Sequence, residues 1–518
     1  MREIELVLGL LAIVVALAVL ARRLGLPYPI VMVLAGLGLG LLPGLPDIEL
    51  APDIVFLVFL PPILYAGGFL TSLRDLKANL RPIALLAFGL VIVTAAGVAV
   101  VAHAMVPALG WAGAFVLGAI VSPPDAVAAM AIFQRLGVPR RVVTILEGES
   151  LVNDATALII YRSALAALAL GTFSLVAASL GFVVVLVGGV AVGAVVGWLV
   201  MRALERAHEP TFAVTITLLA PFAAYLPAEQ LGVSGVIAAV VAGIFARRAG
   251  NRLTSDTRIA ATAVWSTQIF VLNGLVFVLI GLQLRAVLAA VAQRSVGEAA
   301  FIALSVAFLL VVLRFVWVVI AAYVVRWLIP AIRRADPYPP WQSVVVIGWS
   351  GLRGVVSLAA ALALPFDFPE RDLVLFVTFV VILVTLVGQG LTLPLVIRAL
   401  GLAPDRDIVH DEGHARVLTG DAALARLREL TEQWPGHLEL IDQLRDRYEH
   451  RTRHHEDHHG EAPAEAEQEL LEHTAIRRAV IEAERASAFD LHDRGIIDDE
   501  VLRRIERDLD LEELRMEA

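Results

Sequence analysis

The chain has 518 residues, 58% of them hydrophobic and 18% charged, and its mean hydropathy is +0.79. A water-soluble domain carries about 45–50% apolar and about 25% charged residues, so these values exclude an ordinary soluble enzyme and a disordered or fibrous chain. There is no cysteine, which excludes a disulfide scaffold, a thiolate nucleophile, an iron–sulfur cluster and a cysteine-ligated zinc site.

The net charge of −9 is unevenly spread. From Gly401 onward 31 acids face 16 arginines, a net of −15, whereas the preceding residues hold 25 bases against 19 acids, a net of +6. That step predicts a membrane domain over 1–400 and a polar tail over 401–518. Neither part has the basic face of a nucleic-acid binder.

A helix needs about 20 apolar residues to cross the hydrocarbon core. Thirteen stretches fit, at 3–21, 28–44, 52–70, 82–106, 109–133, 142–170, 174–201, 211–227, 231–246, 264–284, 299–328, 342–365 and 371–399. The fold class predicted is an all-α polytopic membrane protein. A second apolar stretch follows the first at once, with no small-residue cleavage site, so the first reads as a retained helix. With the tail cytoplasmic and the spans alternating, eighteen Arg and Lys fall in inward loops, from Arg22 and Arg23 through Arg252 to Arg398. Only Arg2, Arg285, Arg294 and Arg371 fall outside. That is the bias of the positive-inside rule, and an odd number of spans places the N-terminus outside.

Several ionisable residues remain within the spans: Asp125, Glu147, Glu149, Asp154, Arg162, Arg314 and Arg353. Each costs roughly 3 kcal/mol or more at bilayer depth, so such groups face a cavity or one another and mark ion pathways. The fifth span reads G-A-I-V-S-P-P-D-A-V-A-A-M from Gly118 to Met130. Pro123 and Pro124 remove two N–H donors and obstruct the preceding turn, so the helix should break there. A simple proline kink explains the prolines; it does not explain Asp125 directly after them. Irregular backbone at this depth is tolerated where it lines a cavity or is buried in protein.

The sixth span opens G-E-S-L-V-N-D-A-T-A-L from Gly148 to Leu158. Helical spacing puts Ser150 and Asp154 on one face, with Glu149 and Asn153 on the neighbouring stripe. Asp154 can hold a cation or a proton, and Ser150 and Asn153 add neutral oxygens of the kind hard cations take. Glu149 reads instead as a structural acid, and it is the candidate partner for Arg314, buried among Leu and Val in span eleven. The twelfth span reads G-W-S-G-L-R-G-V-V-S-L from Gly348 to Leu358, where Gly351 and Gly354 bracket Arg353. Close helix packing explains the glycines but not the arginine. Spans five and twelve are an odd number apart, the placement expected of inverted repeats with an interrupted helix in each half. Half-helix ends would then meet at the midplane, Asp125 answering positive N-terminal ends and Arg353 negative C-terminal ends.

The tail shows apolar residues at helical spacing over 422–444 and 477–514, with a polar linker over 451–465. The linker's His454, His455, His458 and His459 read as solvated, with metal binding or pH sensing as the sharper alternative.

These motifs resemble the sodium/proton exchanger family, a branch of the monovalent cation:proton antiporters, over roughly residues 1–400. The resemblance rests on S-P-P-D-A-V at Ser122–Val127, E-S-L-V-N-D at Glu149–Asp154, G-L-R-G at Gly351–Gly354 and L-P-P-I-L at Leu60–Leu64. The closing D-L-D-L-E-E-L at Asp508–Leu514 is similar to tails of bacterial members. It implies a homodimeric elevator antiporter of the bacterial inner membrane, with no cofactor, whose partners are the bilayer, monovalent cations and protons. It implies that Asp154 binds cation and proton, with Ser150 and the backbone near Pro124 as further ligands. Asn153 stands where the electrogenic branch has a second Asp, which implies one-for-one, electroneutral exchange. Asp125 and Arg353 would serve the helix crossing, and Glu149 with Arg314 would form a structural pair. Two positions depart from the pattern. Many relatives carry an acid in span three where this chain runs Leu64, Tyr65, Ala66, Gly67, and an acid in span ten where it has Asn273.

Two other function classes fit worse. An ATP-driven pump lacks its phosphate loop, since no G-x-x-x-x-G-K-[ST] run occurs. An intramembrane protease lacks H-E-x-x-H and any Ser/His pairing of clear spacing. Potassium/proton exchange stays open beside sodium, because the site chemistry does not separate the two ions. A cation channel with the same lining suits paired interrupted helices less well than alternating access does.

Overall fold

The computed structural model describes residues 2–42, 52–207, 209–249, 253–291, 295–402, 406–457, 464–494, 496 and 499–517. Arg252, Arg294, His458 and His459 lie outside them. The chain divides into two units, Met1–Pro404 and Asp405–Ala518.

The first unit is helical throughout its described elements: α1 (Arg2–Leu24), α2 (Tyr28–Gly40), α3 (Pro52–Leu70), α4 (Leu80–Met105), α5 (Gly110–Val121), α6 (Val127–Leu136), α7 (Arg140–Leu170), α8 (Leu175–Leu204), α9 (Pro210–Gln230), α10 (Gly235–Ala249), α11 (Ser255–Leu282), α12 (Val296–Leu328), α13 (Trp341–Trp349), α14 (Val355–Leu362) and α15 (Arg371–Ala399). Among the described residues nine helices are long and apolar enough to cross a membrane. The other four predicted spans fall on shorter pieces. Two are the short helices α2 and α10, and two are interrupted, α5 with α6 and α13 with α14. The predicted span 211–227 is one helix despite Pro221 and Pro227 inside it.

Serine and threonine side chains cap several long helices. Ser174 accepts from the Ala177 N–H at the start of α8, and Thr254 from Thr257 at the start of α11. Each cap satisfies a backbone donor that the helix itself leaves free. Small residues let helices approach closely. A Cβ at Gly68 of α3 would overlap the Val240 carbonyl of α10, and one at Gly243 of α10 would overlap the Tyr65 carbonyl of α3. Backbone contact of this kind is how helices associate where lipid removes the hydrophobic drive.

The buried apolar residues form two clusters. One draws on α4–α7 and α12–α15, with residues of α1, α2 and α11 and with Val55 and Phe59 of α3. The other draws on α3 and α8–α10, with Leu151 and Ala155 of α7 and Trp265 of α11. Thus α3, α7 and α11 contribute to both.

Helix ends that charge bias assigns to one side meet in polar clusters. Arg81 at the start of α4 and Arg326 at the end of α12 each reach Oδ2 of Asp336 at 2.8 Å, and Arg141 at the start of α7 reaches Oδ1 at 2.7 Å. At the opposite end of α7, Arg162 donates to Glu229 of α9 at 2.6 Å. Arg162 is half exposed there and sits within the candidate span Arg140–Leu170, its charge answered by Glu229.

The second unit holds four helices: α16 (Arg406–Gln433), α17 (Leu438–Asp457), α18 (Ala464–Asp493) and α19 (Asp499–Glu517). The predicted helix over 422–444 is split at Trp434, just before Pro435, which has no N–H to continue the ladder. Residues 451–457 of the predicted linker extend α17 instead.

Candidate functional site

Two helices stop inside the first unit. α5 ends at Val121 and α6 begins at Val127; α13 ends at Trp349 and α14 begins at Val355. The first gap contains Pro123 and Pro124, the second Gly351 and Gly354. The gaps touch, since the Asp125 N–H donates to the Leu352 carbonyl at 2.6 Å.

A half-helix presents partial positive charge at its N-terminus and partial negative charge at its C-terminus. Asp125 meets the positive ends. Its Oδ1 accepts from the N–H of Val127, the first residue of α6, at 2.8 Å. Its Oδ2 lies so close to Gly354, the residue before α14, that a Cβ there would overlap it. Arg353 meets the negative ends. Its Nε donates to the carbonyl of Val121, the last residue of α5, at 3.1 Å, and its Nη1 donates to the Gly351 carbonyl beyond α13. The Arg353 N–H donates to the Thr385 hydroxyl of α15 at 3.1 Å.

α7 packs against the first gap. The Asn153 amide donates to the Pro124 carbonyl, freed by the break, at 2.6 Å. Glu149 and Arg314, each 1% exposed, form a two-pronged pair at 2.7 and 2.9 Å. The Nε of Arg314 also donates to the Ile347 carbonyl near the end of α13 at 3.0 Å. Two parallel N–H···O bonds fix the guanidinium plane as well as neutralising it.

A cavity of about 60 Å³ opens beside this crossing. One water needs roughly 10–15 Å³ by such a measure, so a cation with part of its water shell has room. Its polar wall is Asp154 and Ser150 of α7, Asp125, Asn273 of α11 and Ser357 of α14. Leu60, Ile63 and Leu64 of α3 and Phe277 of α11 close it with apolar surface. Leu60 and Leu64 belong to one apolar cluster and Phe277 to the other. Two carboxylates and two hydroxyls converging on a small hollow make an oxygen-rich site for a cation or a proton.

A family model described as sodium/hydrogen exchanger, transmembrane, matches residues 9–399. The chain belongs to the sodium/hydrogen exchanger family. This exchanger is 34% identical over 527 residues to an uncharacterized Na(+)/H(+) exchanger of Mycobacterium bovis, covering 98% of this chain and 95% of that one. It is 35% identical over 414 residues to a sodium, potassium, lithium and rubidium/H(+) antiporter of Bacillus subtilis, covering 76% of this chain and 61% of the relative. Its fold is similar to that of the sodium proton antiporter MjNhaP1 of Methanocaldococcus jannaschii, with a TM-score of 0.62 at 18% identity over 77% of this chain and 99% of the other.

Of the residues singled out from the exchanger's sequence, Asp154, Ser150, Asp125 and Pro124 line one cavity. Asn153 stands behind it, its amide spent on the break, and its Oδ1 is buried without a hydrogen-bond partner among the described residues. Of the two expected departures from the family pattern, Asn273 lines the cavity as a neutral amide, and the stretch Leu64, Tyr65, Ala66, Gly67 reaches it through Leu64. Sequence reasoning missed Ser357 and Thr385. Each is a lone hydroxyl in an apolar run, and only the interruption at 350–354 brings the two near Arg353 and the cavity.

Proposed function

We propose that this exchanger trades sodium for protons across the membrane, with Asp154 holding one ion or the other in turn. The observation that supports this most is the cavity in which Asp154 meets Asp125 and the Ser150 hydroxyl beside two interrupted helices. Asp154 and Ser150 supply oxygens to the bound cation, and the backbone around Pro124 lies in the same wall. Because one carboxylate binds either ion, competition alone couples the two fluxes, and no nucleotide or cofactor enters the cycle. Asn153 in place of a second acid supports exchange of one cation for one proton without net charge movement.

The reading includes alternating access by movement of one apolar cluster against the other, since the cavity lies between residues of both. Thirteen spans with an outward N-terminus and a cytoplasmic tail agree with the arginine bias and with the joining of Arg81, Arg141, Arg326 and Asp336 at one end. Family resemblance supports a homodimer in a bacterial inner membrane. Potassium/proton exchange is the second reading, favoured by the potassium in the Bacillus relative's name and by the neutral Asn273 in the wall.

Everted vesicles with an imposed pH gradient test the reading. Sodium should collapse the gradient, as followed by a pH-sensitive dye. Collapse by potassium alone would transfer the assignment to potassium, and no response to any cation from about pH 6 to 9 would contradict exchange.

A further inference from the structure

The hydroxyl of Ser357 is buried, and it has no hydrogen-bond partner among the described residues. Ser357 itself is 2% exposed and forms part of the wall of the cavity that holds Asp154. A buried hydroxyl left unbonded costs about 1–3 kcal/mol, so such a group calls for an explanation, and a bound ion or water is one. Ser357 lines the cavity together with the polar groups of Asp154, Ser150 and Asn273. Its position explains why. Ser357 is the third residue of α14, directly after the interruption. Gly354, three residues earlier, packs on Asp125 Oδ2, and Asp125 and Ser357 line the same cavity.

We infer that Ser357 is a cation-contacting residue of the second interrupted helix, supplying a neutral oxygen opposite Asp154 and Ser150, and that it tunes which monovalent cation is taken. The inference rests on the proposed role of Asp154. Its chemistry is that of a hard ligand set: one carboxylate for charge and hydroxyl oxygens to replace part of the water shell. A hydroxyl contributes no charge, so it changes cation affinity and size preference without changing how many protons the site exchanges. The apolar wall of Leu60, Ile63 and Leu64 leaves the polar side of the cavity to supply every protein oxygen, which makes one hydroxyl a large share of the shell.

The test uses the full chain purified into liposomes, with Ser357→Ala, Ser357→Thr and Asp154→Asn. Initial exchange rates are measured against sodium, lithium and potassium concentration at fixed pH. Ser357→Ala should raise the apparent KM for sodium about tenfold or more, the scale of one lost oxygen contact to a charged group. Its maximal rate should stay within about twofold, and the sodium-to-potassium preference should shift. Ser357→Thr, which keeps the oxygen, should restore the KM. Thermal melting with and without sodium gives a readout apart from transport, because a ligand that binds only the folded state raises the midpoint. The sodium-induced rise should shrink in Ser357→Ala. An unchanged KM, preference and sodium-induced rise in Ser357→Ala, with exchange lost in Asp154→Asn, overturns the Ser357 assignment alone. Exchange persisting in Asp154→Asn overturns the site itself, and the assignment with it.

Discussion

The backbone N–H of Asp125 donates to the carbonyl of Leu352 at 2.6 Å, tying together two helix interruptions that lie 227 positions apart in the chain. Around that bond the charges sort by sign. Asp125 faces the starts of α6 and α14, and Arg353 the ends of α5 and α13. Four half-helix dipoles that would each be exposed to a medium of low polarity are thereby answered by two side chains. The crossing is a rigid frame, and the cavity with Asp154 is set against it.

Gly354 is the tightest point of that frame. A Cβ would overlap the Asp125 carboxylate, which is itself held by the Val127 N–H. Gly354→Ala is therefore expected to destabilise the protein by about 1–3 kcal/mol or more and to abolish exchange. Thermal midpoint in detergent and transport in vesicles check this. Full stability with wild-type rates would contradict the packing described.

Glu149 and Arg314 are both buried and bonded at two points. Removing one partner leaves an unpaired buried charge, which costs about 3–5 kcal/mol. Glu149→Met and Arg314→Met alone should each lower the folded yield sharply, and the double substitution should recover much of it. Yield and midpoint by fluorescence-detected size exclusion measure the difference. A double variant no better than the worse single one would show that the pair does more than balance charge.

Asp336 provides the expected pH dependence of stability outside the spans. Burial alone would raise its carboxyl, but the hydrogen bond and charge of Arg141, together with the charges of Arg326 and Arg81, hold it below the ordinary value of 3.8. A carboxyl depressed in the folded state stabilises it fully above the unfolded value and loses that contribution as pH falls through the folded one. The difference in melting temperature between wild type and Asp336→Asn should therefore be constant from about pH 5 to 8 and close only below about 4. A difference that changes between pH 6 and 8 would contradict this cluster as the cause.

The membrane class, the helix interruptions and the leading acids were legible because each is a local signal. Apolar length marks a span, Pro123 and Pro124 mark a break, and a carboxylate such as Asp154 in an apolar run marks a candidate site, which here lines a cavity. Glu149 is the candidate partner that the sequence offers for Arg314, and the two stand 2.7 Å apart. What stayed hidden depends on tertiary placement. Nothing local separates Ser357 from other small residues after G-L-R-G, and nothing shows that Asn153 spends its amide on Pro124 while Ser150 faces the cavity. The tail reads as helical, but its helix ends were not legible where the apolar periodicity is shallow, as in α16 and α18.

The central claim is that Asp154 binds either a proton or the cation. The most direct measurement is the initial rate of sodium/proton exchange in proteoliposomes, against sodium concentration at several pH values, for wild type and Asp154→Asn. Competition at one carboxylate predicts that the apparent KM for sodium rises as pH falls, approaching tenfold per pH unit on the acid side, while the maximal rate at saturating sodium holds, and that Asp154→Asn shows no exchange. A sodium KM indifferent to pH, or exchange persisting in Asp154→Asn, would contradict the account.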